Sequence, residues 1–528
     1  MKRRYCFMSL LLTGTVAMTA QETYTNAELA TKDLNGTARY VGMGGAMDAL
    51  GADISTIGTN PAGIGLFRHS TANISFGFVS QEGAKRFANG NKTNMSFDQA
   101  GFVYSNRLSR SSFLNFGFNY HKSRNFDYIL NAAGRTLNGG SQNRLSYNKG
   151  DAGIMDLYIE NDEILSNDYA YSQLDYLYYN TIIYNPLIDP NPDPDEKNYF
   201  YNYGAERYMM DRVQTGYIGE YDFNISGNIN DRVYLGVTLG IHDVRYKSYS
   251  EYAELFESNE EGIGGVLAED TREITGTGFD VKAGVIFRPI EDSPFRIGLS
   301  VATPTWYDLT TRNYTALYVD AENATPTFNG IEGWDIDNSY DFKLHTPWKF
   351  GLSLGHTIDN FIALGASYEF ADYGSLDCRE IDGYDWDGNT TSSTDIPMKR
   401  HTEQTLKGVS TLKLGAEIKA DANLAVRVGF NYVSPMYNKN GFKDGTLASY
   451  GVTDQSATDY TNWKDTYRLT AGVGYRFDKF SLDLAYQYSQ TDGTFTPFSD
   501  VLDATNAAES VDVSNKRHQL LFTLGYSF

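Results

Sequence analysis

Apolar and polar residues alternate with a period of two along much of this chain, in stretches of about ten residues, the length a strand needs to cross a bilayer. In residues 467–477, Tyr467, Leu469, Ala471, Val473, Tyr475 and Phe477 fall on one face, and Arg468, Thr470, Gly472, Gly474 and Arg476 on the other. Residues 480–488 repeat the pattern, with Phe480, Leu482, Leu484, Tyr486 and Tyr488 against Ser481, Asp483, Ala485 and Gln487. "TLKLGAEIK" and "LAVRVGFNY" follow the same rule and set Lys413, Glu417 and Arg427 opposite apolar rows. An Arg or Lys on the lipid face at mid-bilayer costs about 2–4 kcal/mol, so the polar face is the lumen of a closed barrel.

The alternation predicts strands near 70–81, 95–107, 111–124, 212–227, 232–248, 272–289, 294–310, 338–357, 360–374, 404–420, 423–436, 463–478, 480–492 and 515–528. The fold class is therefore all-β, a 14-stranded antiparallel transmembrane β-barrel, with the even strand number of single-chain bacterial barrels. "NIND", "PIEDSP", "TIDN", "KADAN" and "FDK" are tight turns, and the links between them are long and acidic. Short turns belong to the periplasm and long loops to the exterior, which predicts both chain ends on the periplasmic side. The largest loop, about 125–211, is partly helical in its spacing and is expected to fold over the barrel mouth.

Composition supports a wall of strands. The chain has 40 Tyr, 30 Phe and 50 Gly with only 13 Pro, and beyond its first residues no run approaches the roughly 18 apolar residues of a membrane helix. Those first residues, "MKRR" and then "CFMSLLLTGTVAM", predict a signal peptide over 1–20 with cleavage near Thr19 or Ala20. Cys6 has no lipobox around it, and Cys378 is the only other cysteine, so the mature chain has no disulfide to make. The net charge of -22 argues against nucleic acid, which needs clustered Lys and Arg, and suits hydrated external loops.

Between the signal peptide and the first strand, residues 21–69 are rich in Gly and Ala, with "GMGGAMDALGADIST" followed by "GTNPAGIGLF". Small side chains let a backbone pack closely against a barrel lumen, and Pro61 fixes a turn. The segment reads as a hatch tucked into the bore of a barrel formed by 70–528, although turn chemistry alone favours reading "NPAG" as a surface turn.

"ARYVGMGGAMDALGADISTIGTNPAGIG" resembles the N-terminal hatch of the FadL-like outer-membrane transporters of long-chain fatty acids and other hydrophobic compounds, and "HTPWKFGLSLGHTIDNFIALGASYEFADYGSLD", "EIKADANLAVRVGFNYVSPMY" and "YRLTAGVGYRFDKFSLDLAYQYSQ" resemble its wall strands. The resemblance implies a barrel plugged by its hatch, external capture of an apolar ligand, and exit sideways through a gap in the wall. Asn60, Pro61 and Ala62 carry over as the hatch motif, with Gly42, Gly44 and Gly45 as its close-packing approach. The family builds its capture groove from later external loops, whereas here the second is longest.

Other constellations carry less. Asp382, Asp385 and Asp387 lack the closing Glu of an EF-hand and read as a hydrated acidic loop, as does the Pro-rich 189–196. "GMGG" has neither the Lys of a phosphate loop nor a preceding strand. The seven histidines show no metal spacing; His242 and His518, on strands, are the ones to inspect for an outer-membrane hydrolase triad. No catalytic set, metal or cofactor is expected. Lys282, Lys413 and Arg468 fall at inward positions and are candidates to meet a ligand's acid group, although lumens also hold paired charges such as Lys413 with Glu417. Tyr526 and Phe528 end a closing strand and resemble the terminal aromatic signal read by the barrel assembly machinery. The expected function is passive uptake of a hydrophobic small molecule by a monomer in outer-membrane lipid; the alternative is a structural, adhesive or general porin barrel.

Overall fold

Strand β5 (Val233–Phe256) carries the period-two signal at its clearest: Leu235, Val237, Leu239 and Ile241 are 42–52% exposed, while the intervening Thr238 and His242 have no exposure. The computed structural model describes residues 22–161, 163–184, 200–257, 263–321, 335–359 and 361–528. The predicted signal peptide and the acidic segment 189–196 lie outside the described residues.

Fourteen antiparallel strands form one closed sheet. In chain order they are β1 (Thr71–Gln81), β2 (Thr93–Arg107), β3 (Phe113–Asn125, continued by Tyr128–Leu137), β4 (Ala205–Ile229), β5 and β6 (Ile263–Phe287). Then come β7 (Arg296–Ala302, continued by Trp306–Ala321), β8 (Asp335–His345 and Lys349–Ile358) and β9 (Ile362–Asp372, with Asp377–Tyr384). The last five are β10 (Gly408–Lys419), β11 (Leu424–Val433), β12 (Tyr460–Phe477), β13 (Phe480–Thr496) and β14 (Val511–Ser527). Pairing of β1 with β14, from Thr71↔Ser527 to Gln81↔Arg517, closes the barrel. No described helix is long and apolar enough to cross a membrane.

Several strands run further outward than the hydrophobic pattern. β4, β5 and β6 stay paired beyond the apolar rows, where outward positions hold charges such as the exposed Lys247–Glu273 ion pair. Backbone pairing does not require lipid, so the ladder continues after the apolar signal stops. For the same reason Tyr128–Leu137, read from sequence as loop, extends β3. β7 and β8 bend side by side at Pro304 and Pro347, which have no N–H for the ladder; Thr305 N donates to Thr346 Oγ1 (2.8 Å) and Thr346 N to Thr305 O (3.1 Å) across the bend.

At the long-loop end, the connection between β3 and β4 contains two helices, Gln142–Asp151 and Gln173–Tyr178. They bury Tyr178, Tyr179 and Leu177 against Tyr208, Tyr252 and Phe495 of the extended wall. Each buried aromatic ring removes a large apolar area from water, enough to hold the loop against the wall.

Candidate functional site

Residues 22–67 occupy the bore, with two helices, α1 (Thr23–Ala30) and α2 (Ala38–Gly42), and two 3-10 turns, Ile54–Gly58 and Pro61–Leu66. Asn60 caps the second turn: its Oδ1 accepts from Ala62 N (3.2 Å), and Pro61 takes the first helical position, where an N–H is dispensable. Inward side chains of the wall then bind the plug's main chain. Ser226 Oγ donates to Pro61 O (2.8 Å), Asn115 Nδ2 to Ile64 O (2.7 Å) and Phe67 O (3.0 Å), and Thr238 Oγ1 to Ile57 O (3.1 Å). Opposite, Ala38 N donates to Thr523 Oγ1 (2.7 Å) and Thr470 Oγ1 to Gly42 O (3.2 Å). The Arg39 guanidinium forks onto Glu417 at 2.9 Å on both arms.

Glycines on both partners permit this contact. Gly44 and Gly45 have φ of 62° and 77°, and a Cβ on Gly44 would lie 2.8 Å from Phe430 N. A Cβ on the wall's Gly365 would lie 1.8 Å from Ala46 O, on Gly284 2.0 Å from Asn60 Oδ1, and on Gly429 2.2 Å from Gly44 N. The sequence reading weighed the plug's small residues and missed these wall glycines, although each sits at an inward position of its strand.

Neighbouring strands part between β2 and β3, at the level where the plug's residues 33–35 lie. β2 pairs with β3 from Arg107↔Phe113 only to Gln99↔His121, and its residues 93–97 pair with β1 alone among the described residues. Beyond that point β3 stays paired with β4, and its Thr136–Leu137 pair with Ala507–Ala508. The plug fills the gap. Asn35 Nδ2 donates to Asp98 Oδ1 on β2 (2.9 Å) and to Lys122 O on β3 (3.0 Å), so one side chain holds both lips. Asp33 N donates to Ser123 O (2.8 Å), and the Asp33 carboxylate accepts from Asn125 N (2.9 Å) and Arg124 Nη1 (3.1 Å). Burial alone would raise the Asp33 carboxyl, but Arg124 and Arg517 outweigh it and hold Asp33 below the ordinary aspartate value. Nothing in the sequence around Asn35 marked it out.

Beside α1 lies a cavity of about 420 Å³. Tyr24, Tyr437, Tyr460 and Trp463 give it an aromatic side, with Tyr24 stacked on Tyr437 at 5.1 Å. The cations Arg468, Arg517 and Lys349 also line it, and among the described residues none forms an ion pair with a carboxylate. Arg468 donates to Asn431 Oδ1 (2.8 Å) and Arg517 to the carbonyls of Asn125 and Asp127.

The three sequence-predicted lumen cations thus part company. Among the described residues Arg468 keeps its amide partner Asn431 and has no carboxylate within ion-pair distance. Lys282 is enclosed by Glu220 (2.5 Å), Asp222 (2.9 Å) and Asp280 (2.8 Å). Lys413 pairs with Asp48 of the plug (3.5 Å) and Glu369 (3.9 Å), not with Glu417, which is taken by Arg39 and Arg427. Residues four apart on a strand stand about 13 Å from one another, so cross-strand and plug partners are nearer.

Tyr526 and Phe528 lie at the short-turn rim, where Phe528 N donates to Ser70 O (3.0 Å) and the two rings meet edge-on at 5.0 Å. Both chain ends were expected at that rim; the first described residues instead stand at the loop end, with Glu22 paired to Lys443 (3.3 Å) and Thr23 Oγ1 against His401 Nδ1 (2.9 Å). The alternation rule orients strands but says nothing of how high a plug climbs. His242 is buried beside Glu220 and Asp280, and His518 touches Tyr486 and Glu82; no serine hydroxyl bonds either ring among the described residues. Asp385 accepts from the backbone N–H groups of Asp387 (2.9 Å) and Asn389 (2.8 Å) in an exposed hairpin turn.

No protein-family model matches this chain, and no curated protein does. Solved structures do. A Pseudomonas aeruginosa FadL homologue superposes with a TM-score of 0.52 at 13% identity, over 94% of this chain and 100% of its own. The Ralstonia pickettii toluene transporter TbuX gives 0.46 at 13% identity, over 94% and 99%, and the Pseudomonas putida toluene transporter TodX gives 0.47 at 10%, also over 94% and 99%. The chain has the fold of the FadL homologue: a closed 14-stranded antiparallel barrel, here with its N-terminal segment inside the bore.

Proposed function

We propose that this protein is an outer-membrane channel for passive uptake of hydrophobic small molecules, long-chain fatty acids or compounds like them, gated by the plug and discharging sideways through the wall. The observation that carries the reading is the gap between β2 and β3, filled by Asp33–Asn35 of the same plug that borders the cavity. A molecule entering from the loop end meets the aromatic side of the cavity first, where leaving water is favourable by about 25 cal/mol per Å² of apolar area. An acid group, if the molecule has one, meets Arg468, whose fork has no carboxylate to give up.

Displacing Asn35 then opens a path into lipid that avoids the aqueous periplasm. A general porin is less well supported, because Arg39, Ser226 and Asn115 fasten the plug across the bore an aqueous pore would need. In this reading 21–69 is the hatch and 70–528 the barrel, the short turns face the periplasm, the protein acts as a monomer, and Tyr526 and Phe528 are read by the assembly machinery.

The test is to block the gap from the wall side. Ser96, on the β2 lip, is buried and accepts from Lys122 Nζ (2.8 Å); Ser96→Trp fills the gap. Uptake of a radiolabelled fatty acid by cells carrying the variant is expected to fall at least about tenfold, the factor given by ~1.4 kcal/mol on a barrier, with heat-modifiable barrel at normal abundance. Unchanged uptake rejects the sideways exit.

A further inference from the structure

Directly below the gap, five titratable side chains from four strands form an alternating row of acids and imidazoles. Asp222 Oδ2 lies 3.5 Å from His121 Nδ1, and His121 Nε2 lies 3.7 Å from Glu220 Oε2. Glu220 Oε2 lies 3.7 Å from His242 Nδ1, and His242 Nε2 lies 3.2 Å from Asp280 Oδ2. The row resembles a metal centre, but the Lys282 ammonium already sits among Glu220, Asp222 and Asp280, within 2.9 Å of each, where a divalent ion would have to go. A second ammonium comes from the plug: Lys32 Nζ donates to Glu220 Oε2 at 2.8 Å.

We propose that His121 and His242 make this group a proton-responsive latch, which holds Lys32, and with it the gap-filling segment of the plug, while the imidazoles are neutral and lets go when they are protonated. With neutral imidazoles and ionised carboxylates, Glu220, Asp222 and Asp280 less the Lys282 ammonium leave two negative charges to hold Lys32, and one protonated ring cuts that to one. A neutral imidazole has a single N–H, so neither ring can donate to both of its flanking carboxylates; an imidazolium can. The shortfall is visible in the structure. Asp222 Oδ2 and both ring nitrogens of His242 are buried without a hydrogen-bond partner among the described residues.

A proton on His121 lets that ring face Asp222 and Glu220 with an N–H each, and a proton on His242 does the same toward Glu220 and Asp280; either places a third cation against Glu220. Lys32 is the member that leaves: it is 30% exposed and belongs to the plug, whereas Lys282 is 2% exposed and fixed in the wall. His121, 14% exposed and lining the cavity, gives protons access. It is also the last β3 residue paired with β2, one residue before Lys122, which Asn35 grips. The remaining groups facing the row are Tyr307 on β7, whose ring lies 5.6 Å from His242, and Lys349 on β8, which interacts electrostatically with Glu220 and Asp280. Asp33, held below the ordinary aspartate value, stays ionised in the histidine range.

The latch rests on the gap-and-plug reading for its consequence in transport, but it is tested without any ligand. A nitroxide spin label is attached at Thr31→Cys in the exported, full-length barrel with Cys378→Ser, and its mobility is read by electron paramagnetic resonance. Between about pH 8 and about pH 4, a span wide enough to protonate buried imidazoles, the mobile fraction is expected to rise at least about threefold. The rise should vanish in His121→Gln/His242→Gln, and Lys32→Gln should be mobile at both ends. A flat wild-type response, or an equal response in the double variant, overturns the latch. If the double variant yields no heat-modifiable barrel, His121→Gln alone decides: an undiminished response overturns the proposal, and loss of at least about half of it supports it. A latch that fails here leaves the Ser96→Trp experiment untouched, and mobility that responds while Ser96→Trp transports normally removes the route and keeps the latch.

Discussion

The two halves of the plug are held in different ways. Residues 37–67 rest on the wall mainly through backbone and small side chains, with the wall's Gly365 and Gly429 admitting the plug's main chain and Gly284 the Asn60 side chain to contact distance, and with the Arg39–Glu417 and Asp48–Lys413 ion pairs as additions. Residues 22–35 are held by ionisable and amide side chains: Lys32 on Glu220, Asp33 on Arg124, Asn35 on Asp98, Glu22 on Lys443. A close-packed seat cannot yield by small steps, because dense packing is lost wholesale once a backbone moves. Charge-assisted contacts can be exchanged one at a time for water, a ligand or a proton. In the proposed reading the lower half seals the bore, and the upper half, which borders both the cavity and the gap, is the part that moves.

The largest effect should come from wrecking the seat. Gly365→Val places its Cβ 1.8 Å from Ala46 O, and overpacking of this kind typically costs about 1–3 kcal/mol. Swelling of liposomes in a small sugar should rise sharply, with the barrel still heat-modifiable, since closure of the sheet satisfies its own backbone bonds. Loss of the barrel itself would mean that the plug is structural.

A smaller change is expected from Asn35→Ala, which removes three hydrogen bonds, to Asp98, to Lys122 O and from Gln519, each worth about 0.5–3 kcal/mol. Asp98 keeps its bond from Ser96 Oγ (2.8 Å). Fatty-acid uptake should increase while sugar swelling stays at the wild-type level, separating the gate from the seal. A parallel rise in both would show that the halves move as one. The mildest is Pro61→Gly, where relaxing φ widens the unseated ensemble by about 0.4–1 kcal/mol; sugar leak should increase slightly and barrel abundance should not change. A larger leak than in Gly365→Val would reverse the order of importance drawn from the contacts.

Much of the wall was legible because a membrane strand obeys a strict rule: every second residue meets lipid. The strand number and Lys282, Lys413 and Arg468 as inward residues followed from that alternation. The Asn60–Pro61 turn was legible from local chemistry, since Asn caps and Pro opens helical turns wherever they lie. Partners were not. The alternation that put Lys282 inside gave no hint that Glu220 and Asp222, sixty residues earlier, would enclose it, because a strand's neighbours depend on closure and register. Asn35 was invisible for the same reason: an amide in a small-residue segment acquires meaning only from the two lips it bridges.

The sequence alone determined what each residue could meet: lipid or lumen from the period of two, a close backbone approach from glycine and alanine, a tight turn from Asn-Pro. These are consequences of local geometry and solvation, which the chain carries with it. The tertiary structure decided which of the inward charges are spent on one another and which remain available, where two neighbouring strands stop pairing, and that the plug reaches that break. Those outcomes depend on which strands become neighbours at which height, a property of the closed sheet that no stretch of ten residues contains.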